Sequence, residues 1–293
     1  MRRVTQDNRG KKTPGVDGVA SLTPRQRLQM VTQLRDPSHQ PAPLRRVYIP
    51  KSGKPDEMRP LGIPTLLDRA YQTPVKLALE PEWEARFEPN SYGFRPGRSP
   101  HDAIEAIFNF IRLKPKYVLD ADIAGCFDRI SHDALLQKLH TIRPIEQLVR
   151  RWLKAGILDH GEYIYPEAGT PQGGPLSPLL ANLALHGLET ALCQAAPAKS
   201  PPGVIRYADD FVILRPNLDV LKHLQAVTAE WPADIGLELH PEKTHITHTL
   251  TPYNGQVGFD FPGLPHPPVP GGQVPYPHLP GASGLQDHHQ TRS

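Results

Sequence analysis

Hydrophobic and polar positions along the chain switch repeatedly between a period of two and a period near 3.6, and the switches mark the predicted elements. Val47-Tyr48-Ile49 ends an extended run before a polar turn at 51–54. Residues 65–87 carry a helical pattern that Pro74 and Pro81 divide into two predicted pieces, since proline removes a helix donor. Ser99-Pro100 is a cap and first-turn pair opening a helix with an apolar stripe of Ile104, Ile107, Phe108 and Ile111. Residues 117–123 read as a buried strand. Ser131 caps a helix to about 140, and another covers 145–155, ending at Gly156. Ser177-Pro178 opens a helix predicted to run through 192. Residues 204–207 and 211–214 form a hairpin by spacing; a helix over 219–230 and a strand pair within 236–249 follow. Strands mixed with helices in this way predict an α+β (α/β-like) fold, a sheet with helices on one face.

Two apolar strands carry acids that such strands do not need. In Val118-Leu119-Asp120-Ala121-Asp122-Ile123, Asp120 and Asp122 share one face while Leu119, Ala121 and Ile123 share the other. A carboxylate within such a strand is costly to bury unless paired or bound to a cation. Tyr207-Ala208-Asp209-Asp210 places two adjacent acids at the tight turn between apolar strands. Taken alone, Asp-Asp at a turn is ordinary. Beside the Asp122 strand it becomes a candidate oxygen cage for two Mg²⁺ ions, which need hard anionic ligands.

Two further segments suit phosphate. Thr170-Pro171-Gln172-Gly173-Gly174-Pro175-Leu176-Ser177-Pro178 runs a Pro- and Gly-rich turn into a helix N-terminus, where free backbone N–H groups collect, although a plain connector reads the same way. Arg45-Arg46-Val47-Tyr48-Ile49-Pro50-Lys51 and Arg59-Pro60-Leu61-Gly62-Ile63-Pro64 space cations along a predicted hairpin, able to clamp a triphosphate or to sit solvated.

Charge sharpens this picture. Residues 1–60 hold 13 Lys and Arg against 5 Asp and Glu, whereas the other 233 hold 20 against 25. A basic front and an acidic body suit a polyanion partner with a separate carboxylate site, or a merely solvated basic arm. Two cysteines among 293 residues exclude a disulfide scaffold; Cys126 and Cys193 read as packed thiols. No apolar run reaches the roughly 18 residues of a membrane span, and no secretory signal opens the chain, which predicts a cytoplasmic protein (bacterial cytosol or organelle interior). The scattered histidines suggest no zinc site.

The order of the blocks resembles a known family. Ile-Pro-Lys with Arg-Pro-Leu-Gly-Ile-Pro, then Ser-Tyr-Gly-Phe-Arg-Pro-Gly-Arg-Ser, Asp-Ala-Asp-Ile with Phe-Asp, Thr-Pro-Gln-Gly-Gly and Tyr-Ala-Asp-Asp look like the reverse transcriptases of bacterial and organellar group II introns. The resemblance covers about 2–261 and implies a right-hand polymerase: a basic N-terminal extension (1–39), fingers (about 40–100 and 131–168) and an antiparallel palm sheet backed by helices (about 101–130 and 169–261). It implies RNA-directed DNA synthesis from RNA template, DNA or RNA primer and dNTPs, with two Mg²⁺ ions, or Mn²⁺ in their place, on Asp122, Asp209 and Asp210. Phe127 then matches the gate against a ribose 2′-OH, Gln172 the glutamine beside the incoming nucleotide, and Lys51 and Arg59 the triphosphate contacts. Lys243 matches the lysine that protonates pyrophosphate, and Arg95, Arg98 and Tyr207 lie with template and primer. Asp120 and Asp128 are expected to be structural. Other readings are a reverse transcriptase of another bacterial retroelement and a non-catalytic, maturase-like RNA-binding remnant.

Relatives continue past the palm into a thumb, and the resemblance leads to the expectation that the thumb is missing after residue 261. The last 32 residues hold eight prolines, one aromatic residue and two charges, so the 262–293 tail is predicted to be disordered. Back-translated with one base removed before Pro262, the tail yields a segment like the one relatives carry after the palm. The expectation is an out-of-frame translation and a weakly active or inactive fragment.

Overall fold

A computed structural model describes residues 2–6, 12–36, 38–51, 54–261 and 264–266. The long hairpin expected near the front is β1 (Leu44–Lys51) against β2 (Lys54–Ile63). Short strands β4 (Ile157–Asp159) and β5 (Glu162–Ile164) join it in a four-stranded sheet of order β2-β1-β4-β5. The second sheet, order β6-β7-β3-β8, is antiparallel throughout and combines β3 (Tyr117–Asp122), β6 (Gly203–Tyr207), β7 (Asp210–Arg215) and β8 (His245–His248).

Helices cover both faces of this second sheet, not one. Leu119, Ala121, Phe211 and Ile213 point into the main core with α8 (Ser177–Leu185) and α10 (Leu218–Glu230). Val118, Ile205, Val212 and Leu214 point the other way, against Ala103 and Ile107 of α4 (Pro100–Ile111). The buried stripe of α4 is therefore rotated by about one residue from the expected one. Ser99 caps it with a complete capping box on Asp102. Each fully buried leucine or phenylalanine contributes about 1.5–3 kcal/mol.

Three predicted elements differ. The segment after Thr65 is one helix, α3 (Leu66–Arg86), running through both prolines. Tyr71, Val75, Leu79 and Trp83 recur every four residues on its buried face, while Pro74 and Pro81 lie on the exposed side, where water can meet the freed carbonyls. The helix from 177 stops at Leu185 and restarts as α9 (Leu188–Ala195), because Gly187 takes a left-handed φ of 101°. The pair expected within 236–249 is β8 alone plus one bridge from Leu239 to Ile123, since the backbone turns at His240–Lys243.

The basic front end is not a free arm. α1 (Arg2–Thr5) and α2 (Pro24–Gln33) place Val4 and Met30 against Leu66 and Ala70 of α3. Arg45, one of the expected clamp cations, donates to the Pro14 carbonyl at 2.9 Å. Short helices α5 (Cys126–Arg129) and α6 (His132–Leu139), then α7 (Arg143–Leu153), link β3 to β4. The expected disordered tail lies outside the described residues, apart from Leu264–His266. Those three form β10 against β9 (Phe259–Phe261), a correction that follows from the partners the ladder gives their backbone. Among the described residues, no helix is long and apolar enough to cross a membrane.

Candidate functional site

The acidic residues meet at one end of the β3–β7 pair. Asp122 closes β3 and lies in register with Asp210, the first residue of β7. Asp209 sits in the two-residue loop before it, where Tyr207 pairs with Asp210 and Ala208 takes a φ of 59°. Alanine rarely adopts that conformation, so the turn must be held by its surroundings.

A buried arginine holds it. Arg206, 3% exposed, donates from one guanidinium nitrogen to the Ala208 carbonyl (2.9 Å) and the Asn182 Oδ1 (3.0 Å), and from the other to Ser91 Oγ (2.7 Å). Burial lowers its pKa to about 10, which leaves it charged at neutral pH. Asn182, from α8, donates its amide to the Gly93 carbonyl at 2.7 Å. Segment 90–93 runs beside β6, with Tyr92 N–H on the Arg206 carbonyl and Arg206 N–H on the Asn90 carbonyl, both at 2.9 Å. Gly93 then lies directly on the turn: a Cβ there would stand 2.2 Å from the Ala208 nitrogen. Gly93→Ala is expected to cost about 1–3 kcal/mol in chemical denaturation by overpacking against backbone.

The charge at this end is unbalanced. Desolvation, then Asp209 and Asp122, raises Asp210 to about 7; although Asp210 keeps an open solvent face, the protein crowded around it removes enough water to matter. Asp209 rises too, by desolvation and then Asp122, against a pull from its own backbone N–H, Arg59 and Lys243. Asp120 also reaches about 7, through desolvation and then Asp210, Asp260 and Asp122. Lys243 donates its ammonium to Asp122 Oδ2, a hydrogen bond that raises the lysine pKa and keeps it protonated. A raised carboxyl favours the protonated folded protein, so its stabilising contribution is fully present below the ordinary carboxylate range and is lost as pH rises through about 7. The Tm difference between Asp210→Asn and the unsubstituted chain is therefore expected to be near zero at pH 4 and positive at pH 8 in low-salt thermal melts.

Among the described residues, no three His, Cys, Asp or Glu side chains are arranged to ligate a metal ion, and Asp122 turns to Lys243 instead. The donors nonetheless fit one chemically: hard carboxylate oxygens on neighbouring backbone positions, with Asp209 and Asp210 raised by desolvation first and by the neighbouring carboxylates after it.

The family model described as reverse transcriptase (RNA-dependent DNA polymerase) matches residues 49–266, and that of the N-terminal domain of reverse transcriptase matches 1–34. The chain belongs to the reverse transcriptase family. It is 33% identical over 290 residues to protein YkfC of Escherichia coli (84% of this chain, 75% of the relative). It is 35% identical over 245 residues to the group II intron-encoded protein LtrA of Lactococcus lactis subsp. cremoris (82% of this chain), and spans 41% of that relative. The likeness to LtrA is a likeness to a group II intron-encoded protein. Its fold matches that of a telomerase from Candida tropicalis solved with a TWJ fragment of telomeric RNA, at a TM-score of 0.60 and 17% identity, over 83% of this chain and 46% of that one. The folds agree on fingers and palm. The family is generally metal-dependent.

The other predicted residues of this reverse transcriptase divide into two groups. Arg59 is exposed on β2 and acts electrostatically on Asp209. Gln172 is half-buried, its carbonyl taking the Gly62 N–H at 2.6 Å, which ties its loop to β2. Phe127 stands beside that loop, its carbonyl accepting from Thr170 N–H at 2.6 Å. Of these three, Arg59 is within electrostatic reach of the acids, and Gln172 and Phe127 belong to the loop contacts beside β2 and α5. Lys51 instead pairs with Glu57 at 2.7 Å across the hairpin end. Tyr207 packs partly into the α4 core. Arg98 is half-buried over the Tyr92 ring and donates to the Pro89 carbonyl. Arg95 corrects an expectation. Its side chain is 3% exposed, paired with Glu84 at 2.8 Å, with further bonds to the Ser91 (2.8 Å) and Glu88 (3.0 Å) carbonyls. With its donors spent inside, Arg95 braces the loop and does not face a template.

Sequence reasoning missed the clamp of Arg206, Asn182 and Ser91, and the exposed Phe94. A signal existed for two of them: Asn182 interrupts Leu179-Leu180-Ala181-Asn182-Leu183, and Arg206 interrupts Val204-Ile205-Arg206-Tyr207. A polar residue within a wholly apolar run has a partner.

Proposed function

We propose that this chain is the RNA-directed DNA polymerase of a group II intron, adding dNTPs to a DNA or RNA primer 3′-OH on an RNA template. The observation that carries it is Asp122 in register with Asp210, with Asp209 beside them on a clamped turn. We assign the fingers to the β2-β1-β4-β5 sheet and its flanks (about 40–100 and 131–168), and the palm to the β6-β7-β3-β8 sheet and its helices (about 101–130 and 169–261). Two Mg²⁺ ions (or Mn²⁺) held by Asp122, Asp209 and Asp210 would lower the pKa of the primer hydroxyl and neutralise the triphosphate. The remaining work is positioning. Arg59 and Lys51 lie on the fingers hairpin and would hold the triphosphate, Lys51 after leaving Glu57. Phe127 would bound the sugar and Gln172 the near side of the nucleotide. Lys243, kept protonated by Asp122, would give its proton to departing pyrophosphate. Arg98 and Tyr207 remain on the template and primer side.

Primer extension on an RNA template with dNTPs and Mg²⁺ tests this reading. The expected result is incorporation above background. RNA binding without incorporation would instead favour a maturase-like RNA-binding chain.

A further inference from the structure

Phe94 is the least expected side chain near the site. It is 47% exposed, although aromatic, and its φ is +61°, which a bulky residue rarely adopts. The chain fixes it there from both sides. Gly93 before it rests on the Ala208 nitrogen, with its carbonyl on Asn182, and Arg95 after it is locked to Glu84, Glu88 and Ser91. Neither neighbour can rotate to bury the ring or relax the backbone. The exposed ring meets Phe127 edge to face, centroids 6.0 Å apart at 77°. Phe127 in turn joins the loop that carries Gln172. The pair therefore spans the gap between the Asp209 turn and the Gln172 loop.

We infer that Phe94 and Phe127 form a two-ring wall against the 2′ edge of the incoming nucleotide's sugar, making Phe94 a second determinant of deoxyribose over ribose. This rests on the polymerase reading above. Neither ring offers a polar atom, so a 2′-hydroxyl pressed against them loses water and gains no partner, whereas the C–H edge of deoxyribose loses nothing. An apolar wall of this kind discriminates against one hydroxyl by up to about a hundredfold. Two rings that lean on each other share that effect.

The test is single-nucleotide incorporation with dCTP and CTP by the full chain, comparing Phe94→Gly, Phe127→Ala and the double variant, with thermal melts alongside. Glycine accepts the left-handed φ, so Phe94→Gly is expected to melt at or above the Tm of the unsubstituted chain. Its dCTP-over-CTP ratio of kcat/KM is expected to fall about tenfold, carried by a lower KM for CTP, and the double variant to lose less than the two singles summed. An unchanged ratio in Phe94→Gly, with the unsubstituted chain active, overturns the inference and leaves the polymerase reading standing. If the unsubstituted chain neither incorporates dCTP nor gains Tm from dCTP on primer–template, both fall together.

Discussion

Asp209→Asn is expected to reduce nucleotide incorporation by on the order of a thousandfold or more, while the protein melts no lower than before. Asparagine keeps the shape and turn preference of aspartate, so the Ala208–Asp209 loop and its clamp persist. The loss is the charge alone. A cation held by three carboxylates supplies several kcal/mol of stabilisation to the charge developing in phosphoryl transfer, and each 1.36 kcal/mol is tenfold in rate. Folding gains, because Asp209 and Asp210 repel each other. Asp122→Asn is expected to cost as much activity, and the double variant little more, since groups acting as one unit are not additive. Single-turnover incorporation and thermal melts read both halves; more than a tenth of the original rate in either single variant contradicts the assignment.

The largest effect on stability is expected from Arg206→Leu, a loss of about 3–5 kcal/mol in denaturant titration. Leucine fills much of the space but leaves Asn182 Oδ1, the Ala208 carbonyl and Ser91 Oγ without the donor each now has. Ala208 would then be freed to leave its left-handed conformation and carry Asp209 with it. Arg206→Lys separates charge from shape. One ammonium cannot span the acceptors that the guanidinium fork reaches, so charge is restored and geometry is not. Part of the stability is expected to return, with incorporation still well below the original. A change under about 1 kcal/mol for Arg206→Leu would show that the turn is held by something else.

What could be read from the sequence was local. Asp122 and Asp210 stand out because charge inside an apolar strand needs a reason, and strand alternation fixes which residues share a face. The caps at Ser99 and Ser131 are written in two or three adjacent residues. The buried four-residue stripe of α3 outweighs two prolines that face water. The break at Gly187 is a matter of φ that the apolar pattern hides. Arg95 and Arg206 show the deeper limit. One reads as a template contact and the other only as a polar break in an apolar run, yet both are buried. Arg206 reaches partners 24 and 115 residues away in sequence. Such contacts exist only once the segments around 91, 182 and 206 have been brought together.

The proposed convergence of Asp122, Asp209 and Asp210 on a shared cation is tested most directly by titrating Mn²⁺ into the full chain and following the loss of free-ion signal by electron paramagnetic resonance. The expected result is saturable binding that weakens by a similar factor in Asp122→Asn, Asp209→Asn and Asp210→Asn and is displaced by Mg²⁺. Binding that is unchanged in Asp122→Asn would mean that β3 and the 207–210 turn share no ion, and the three-carboxylate polymerase site would be wrong.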